Sequence, residues 1–295
     1  MLPKLLGSYA LLVRKRINKI FGWPWSTAVG LLIASHGSPP ILPAAIIIVS
    51  MFSIATCVYI YNDIVDIEVD KKNPEKLDRP LPSGRVSKKE AMRFVLLAGF
   101  VGMALSLLVN LKTFLLCVAY ITLFWAYSFP RIRLKKKFLL KEGTIAVCGF
   151  FASVIGGMSV GSISAGVIFW GIFLFMYSFV ILPTFGDYQD IKEDKEDGVK
   201  SIAILWNWKI KIEMVILFLL VVMTITPLTY VQLGLNVIFP IVVVASCLLF
   251  LRLIFPLLSR YEYKPWSRAY KAVHGYWILI QVALILGSIN IPFLV

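Results

Sequence analysis

Residues 40–70 read PILPAAIIIVSMFSIATCVYIYNDIVDIEVD. Up to residue 61 the stretch carries no charge, and a helix crossing a bilayer needs roughly 20 mostly apolar residues. The remainder, Asn62–Asp70, packs Asp63, Asp66, Glu68 and Asp70 together. An uncharged run leading straight into carboxylates reads as a membrane-spanning helix that ends in an acidic surface segment. The rest of the chain has the same character. Of its 295 residues 59% are hydrophobic and 16% charged, and the mean hydropathy is +0.83. Soluble domains are about 45–50% apolar and about 25% charged. A water-soluble fold could not hide this much apolar surface, which excludes an ordinary globular enzyme, a disordered chain and a nucleic-acid-binding domain. The net charge of +14 does not indicate a nucleic-acid partner, because the basic residues fall between long apolar runs.

Working outward in windows of that length gives nine candidate spans: 19–36, 40–61, 91–110, 112–129, 143–161, 165–186, 210–230, 234–257 and 271–294. Gly22, Pro24 and Ser26 make the first the least regular. Lysine and arginine then set the orientation. Five lie before or at the very start of the first span, eight lie between Lys71 and Arg93, six between Arg131 and Lys141, five between Lys192 and Lys211, and five between Arg252 and Lys271. With nine spans all these segments share one face, leaving Lys112 alone on the other, and the positive-inside rule makes the basic face cytoplasmic. The chain therefore reads as a multi-pass cell-membrane protein and, over 1–295, as one integral-membrane domain. Residues 1–20 carry Lys4, Arg14, Lys15, Arg16 and Lys19 with no cleavage pattern, and read as a basic amphipathic segment on the membrane surface. Cys57, Cys117, Cys148 and Cys247 sit singly inside apolar runs, as buried small hydrophobes do. Gly156, Gly157 and Gly161 suit close helix packing.

The acids are concentrated on the same face. Seven of the sixteen lie between Asp63 and Glu90, and six between Asp187 and Asp197. Both clusters contain D-x-x-D-x-x-x-D: Asp63, Asp66 and Asp70 in one, Asp187, Asp190 and Asp194 in the other. On a helix these offsets put three carboxylates on one face. A single charge run is usually a solvated loop balancing nearby lysines. Two runs with one spacing, each extending the end of an apolar helix on one side of a membrane, point instead to metal-binding carboxylates. All-oxygen ligands favour hard Mg²⁺, which bridges a few carboxylates to substrate phosphates. Arg79-Pro80-Leu81-Pro82-Ser83-Gly84-Arg85 follows the first cluster and suits a loop folding back over a site. Tyr127-Ser128-Phe129-Pro130-Arg131-Ile132-Arg133-Leu134-Lys135 follows the fourth span, and both basic stretches offer grips for phosphate oxygens.

Together these residues resemble the UbiA superfamily of intramembrane prenyltransferases. The resemblance rests on Asn62–Asp70, Arg79–Gly84, Tyr127–Lys135 and Asp187–Asp194, and it covers almost the whole chain. It implies an all-α membrane protein, a bundle of about nine transmembrane helices around a central cavity. By that resemblance Asn62, Asp66 and Asp70 serve one Mg²⁺ ion and Asp190 and Asp194 another, with Asp63 and Asp187 nearby. Arg79, Tyr127, Arg131 and Lys135 handle the diphosphate of a polyprenyl donor such as geranylgeranyl diphosphate, so Asp66, Asp190, Arg79 and Tyr127 are the expected catalytic set. The prenyl tail occupies an apolar tunnel open to membrane lipid. Diphosphate departs toward a carbocation, which a lipophilic acceptor captures away from water. Tyr59, Tyr61, Trp125, Tyr127 and Tyr177 are placed to line such a site. The R-P-L-P-S-G-R-V-S run resembles the archaeal-lipid and chlorophyll branches, whereas Lys141 is followed by Glu142-Gly143-Thr144 rather than by the Gly-Asn expected of the archaeal-lipid branch. The acceptor is open between an aromatic or quinone precursor and geranylgeranylglyceryl phosphate. The alternative from another class is an ion-coupled transporter with the aspartates as ion sites. Transporter ion sites lie near mid-membrane on broken helices, however, and these acids sit at helix ends.

Overall fold

The computed structural model describes residues 2–259 and 263–290. Among them every regular element is helical. A first helix, α1 (Leu2–Arg14), is followed by α2 (Ile17–Ala34), α3 (Ile41–Val65), α4 (Lys88–Val109), α5 (Leu111–Ser128) and α6 (Leu140–Ser159). Then come α7 (Ala165–Gly186), α8 (Trp208–Thr229), α9 (Ile238–Leu258) and α10 (Tyr263–Ser288). From α3 onward these helices are long and apolar enough to cross a membrane, eight in all among the described residues. The first expected span is also helical as α2, but Asn18, Lys19, Pro24, Ser26 and Thr27 lower its hydropathy, and its Ser26–Leu31 stretch is largely buried inside the bundle. The ninth expected span begins earlier than residue 271, and its residues 291–294 lie outside the described part.

The outward faces carry Phe100, Leu108, Leu228 and Ile241, all exposed. A soluble protein rarely exposes apolar surface on this scale, whereas a multi-pass membrane protein presents it to lipid. Helix α1 lies against α4, with Tyr9 stacked on Phe94 at a centroid distance of 4.3 Å. Leu12 is buried beside Cys57, Ile60 and Leu81. All four cysteines are free and buried.

Small residues set the closest helix approaches. A Cβ on Gly156 of α6 would stand 2.1 Å from the Thr27 carbonyl of α2, and one on Gly30 would stand 2.4 Å from the Ser153 carbonyl. Glycine at both positions lets α2 and α6 touch backbone to backbone, the expected use of Gly156. Trp170 Nε1 donates to the Ser26 carbonyl at 2.9 Å, fixing α7 against the same face of α2. On the other side Ser50 Oγ donates to the Gly102 carbonyl at 2.7 Å and joins α3 to α4.

Two helices change geometry where the acidic motifs begin. Helix α3 ends at Val65, Asp66 breaks its direction, and a short turn follows over Ile67–Asp70. Helix α7 widens to π geometry over Tyr177–Gly186, with Pro183 inside, then tightens to 3-10 over Asp187–Asp190 and returns to α over Ile191–Glu196. Proline supplies no backbone donor, so the regular ladder cannot continue through it. The second motif is therefore not the single straight helix face that its spacing predicts.

Candidate active site

A cavity of about 520 Å³ opens between α2, α3, α5, α6, α7 and α10. Asn62, Asp66, Asp70, Asp187, Asp190 and Asp194 line its polar end. Arg79, Lys135, Lys141 and Lys76 are set among them, and Tyr127 joins them from the end of α5. Further in, the wall is Trp23, Tyr59, Phe124, Tyr177 and Trp277 with Ile145, Gly149 and Leu174. Along α6 the residues Lys141, Ile145 and Gly149 succeed one another at helical spacing, so the wall descends from charge to hydrocarbon over roughly 12 Å. The cavity thus joins an ionic mouth to an aromatic, apolar interior.

The structure brings the two motifs together and holds them with cations. Lys135 donates to Asp66, and Arg133 Nη2 lies 3.0 Å from the other Asp66 oxygen and 3.7 Å from Asp197. Arg79 Nη1 donates to Asp70 at 2.8 Å. Lys76 bridges Asp70, at 3.3 Å, to Glu193 beyond the second motif. Asn73 Nδ2 also donates to Glu193, at 2.6 Å. Lys141 pairs with both Asp187, at 2.9 Å, and Asp194, at 2.8 Å. Burial pushes the Asp194 carboxyl above the usual carboxylate range, with Lys141 pulling the other way. Burial alone would lower the Lys76 ammonium, but the hydrogen bond to Glu193 and the charges of Asp70 and Glu193 hold it above its ordinary value.

Other expected residues stand apart. Asp63 is not in the cavity wall; it is buried behind α3 and receives Arg16 Nε at 2.9 Å. It lines a small adjoining pocket with Arg16, Asp70 and Arg79, so its ion pair with Arg16 holds it beside Asp70 and outside the main cavity. Arg131 is exposed outside the wall, and Arg133 reaches inward in its place. Arg133 adopts a left-handed backbone (φ 46°), as does Leu139 (φ 62°), and these turns fold the basic loop over the mouth. Asn62 accepts from Ser128 Oγ at 2.9 Å. Tyr59 and Tyr177 line the cavity, and Trp23 Nε1 donates to the Tyr59 hydroxyl at 3.0 Å. Tyr61 and Trp125 instead stack on one another, 5.6 Å apart, away from it. Residues that sequence reasoning passed over include Lys76, Lys141, Trp23, Phe124 and Trp277. Lys141 had a signal: apart from Glu142 beside it, it is the only charge in the helix it opens.

The donor set fits magnesium. Its ligand atoms are all oxygens, and Asp190 has no cation at ion-pair distance among the described residues. Among the described residues no three carboxylates are gathered into a preformed cage. That suits an ion that keeps several waters and reaches substrate phosphates through a few carboxylates.

An all-helical membrane bundle with paired aspartate motifs at the mouth of an aromatic-walled cavity is the architecture of an intramembrane prenyltransferase. The chain belongs to the UbiA prenyltransferase family, whose family model matches residues 24–280. It is 30% identical over 277 residues to digeranylgeranylglyceryl phosphate synthase from Sulfolobus acidocaldarius, covering 94% of this chain and 96% of that one. A solved structure of digeranylgeranylglyceryl phosphate synthase superposes with a TM-score of 0.75 at 24% identity, covering 97% and 99% of the two chains. A UbiA homologue from Archaeoglobus fulgidus bound to GPP and Mg²⁺ superposes with a TM-score of 0.69 at 17% identity, covering 94% and 99%.

Proposed function

We propose that this prenyltransferase is magnesium-dependent and moves a polyprenyl group, such as geranylgeranyl, from its diphosphate to the free hydroxyl of a lipid-linked glycerol phosphate. The observation that carries the reaction is the meeting of Asp66 and Asp70 with Asp187, Asp190 and Asp194 over one aromatic cavity. The similarity to the Sulfolobus digeranylgeranylglyceryl phosphate synthase, over almost its whole length, supports the acceptor. The chain acts as one domain over residues 1–295, with its acidic motifs on the cytoplasmic side, where the basic loops also lie.

Asn62, Asp66 and Asp70 would hold one Mg²⁺, and Asp187, Asp190 and Asp194 a second. When bound, the metal supplies charge neutralisation for the diphosphate. Arg79, Lys135 and Lys141 line the same end of the cavity and would grip the leaving group as its negative charge builds. The allylic carbon–oxygen bond breaks with its electron pair going to diphosphate, and Tyr59, Tyr127 and Tyr177, which line the cavity, would steady the cationic carbon through their ring faces. The acceptor hydroxyl then bonds to that carbon and gives up its proton to an oxygen of the departed diphosphate. Trp23, Phe124 and Trp277 keep out water, which would otherwise capture the cation.

The test is to incubate purified protein and Mg²⁺ with labelled prenyl diphosphates and a panel of acceptors, then read products by mass spectrometry. A diether phosphate formed from a monoprenylated glycerol phosphate is the expected outcome. Transfer solely to aromatic or quinone-type acceptors would replace this acceptor reading, and magnesium-independent transfer would overturn the site.

A further inference from the structure

Lys19 is the exception to the cavity's charge matching. Arg16, Lys76, Arg79, Lys135 and Lys141 line the same space, and each is within ion-pair distance of a carboxylate. Lys19 also lines it, and among the described residues no carboxylate lies at that distance from it. Its electrostatic surroundings are mixed: Asp190 and Asp187 attract it, and Arg16 and Arg79 repel it. Lys19 is exposed at the opening of the cavity and holds no carboxylate there, which leaves its ammonium able to meet an incoming anion.

The position of Lys19 says which anion. On α2 it follows Arg16 by one turn and precedes Gly22, Trp23 and Ser26, so one helix face passes from cation to the aromatic interior. The facing wall is α10, which contributes His274 and Trp277 and is tied to α2 by a hydrogen bond from Trp25 to Gln281. The donor diphosphate already has the two aspartate motifs with their matched cations. Lys19 lies beside that set, where a second substrate meets the first.

Resting on the acceptor reading above, we infer that Lys19 is the anchor for the acceptor's phosphate and makes the enzyme select a phosphorylated lipid over the corresponding free alcohol. The ammonium is a compact point charge with rotatable donors, suited to a terminal phosphate at the edge of an apolar cavity. Its removal breaks no ion pair, so the bundle keeps its fold.

The test compares wild type, Lys19→Met and Lys19→Arg with one prenyl diphosphate donor and two acceptors, monoprenylated glycerol phosphate and its dephosphorylated alcohol. Lys19→Met is expected to raise KM for the phosphorylated acceptor by about 10- to 100-fold, the range of a charge-assisted hydrogen bond. Donor KM stays unchanged, the preference over the alcohol is lost, and Lys19→Arg restores most of it. An unchanged acceptor KM in Lys19→Met, with wild type using the phosphorylated acceptor, overturns this inference alone. A raised donor KM overturns it by assigning Lys19 to the diphosphate. Wild type that refuses every phosphorylated acceptor overturns the acceptor reading, and the inference with it.

Discussion

The ammonium of Lys141 lies 2.8 Å from Asp194 and donates a hydrogen bond to it, while also reaching Asp187 at 2.9 Å. One buried lysine at the start of α6 therefore compensates two carboxylates at either end of the second motif. At the first motif the ratio is inverted: Lys135 and Arg133 share Asp66, and Arg79 and Lys76 share Asp70. Carboxylates poised for divalent metal hold monovalent side chains instead, and these same side chains are suited to the diphosphate oxygens. Loading the site then exchanges partners within one polar cluster and strands no charge.

Lys141→Met should destabilise the protein more than it disturbs any other region. Removing one partner of a buried pair costs about 3–5 kcal/mol. Asp187 and Asp194 are each about a quarter exposed, which places the loss near the lower end. Thermal unfolding in detergent should show a lowered midpoint, partly recovered by Mg²⁺ with a prenyl diphosphate. A midpoint equal to wild type in both conditions would count against the compensating role.

Asp66 and Asp190 should separate activity from stability. Asp190 has no ion-pair partner among the described residues, so Asp190→Ala should leave the unfolding midpoint close to wild type. Loss of a group merely supporting a metal ligand already costs about 10- to 100-fold, and loss of the ligand itself should exceed that. Asp66→Asn should lose activity to the same degree but also lower the midpoint, since Lys135 and Arg133 lose their carboxylate. Turnover in Asp190→Ala within a few fold of wild type would remove Asp190 from the site.

Glycines on one helix should behave oppositely. Gly156→Ala places a Cβ 2.1 Å from the Thr27 carbonyl, an impossible contact that must push α2 and α6 apart. Overpacking of this kind costs about 1–3 kcal/mol or more. Gly143 on the same helix has nothing within 4 Å of an added Cβ, so Gly143→Ala should be neutral or stabilise by up to about 1 kcal/mol. Unfolding midpoints of the two variants measured side by side decide the matter; equal shifts would mean that the α2–α6 contact is not limiting.

Much of this was legible in the linear chain because membrane physics is strict. A bilayer demands long apolar runs, and the basic residues between them then locate every loop, so the helices appear near their expected places. The two aspartate motifs were equally visible, since carboxylates are scarce elsewhere. Which loop cations reach inward was not visible. Topology already explains a basic loop, and spacing does not reveal that left-handed turns at Arg133 and Leu139 direct Arg133, not Arg131, to Asp66. The pairing of Asp63 with Arg16 and the place of Lys19 in the cavity wall were hidden as well, since only the folded bundle brings the start of α2 beside the end of α3.

The interior wall should set donor length. Gly149 is eight residues beyond Lys141 on α6, so it lies roughly 12 Å below the ionic mouth. It lines the cavity beside Leu174, whose Cβ would stand 3.2 Å from a Cβ added at Gly149. The added Cβ also stands 3.4 Å from the Leu174 carbonyl, so a valine here presses on α7 and narrows the wall at the depth that the far end of a long prenyl chain needs and a short chain never reaches. Gly149→Val should therefore shift preference from a four-isoprene donor toward two- or three-isoprene donors, chiefly through KM for the longest. Leu174→Ala opens the same wall and should relax that selection in the opposite sense, although truncating a buried leucine costs about 2–5 kcal/mol and calls for assay at low temperature. Competition between geranyl, farnesyl and geranylgeranyl diphosphates in one reaction gives the ratios directly. Because every donor carries the same diphosphate, a uniform loss across all three would show that Gly149 acts on the ionic mouth, and an unchanged ratio would show that the prenyl chain leaves the cavity before reaching it.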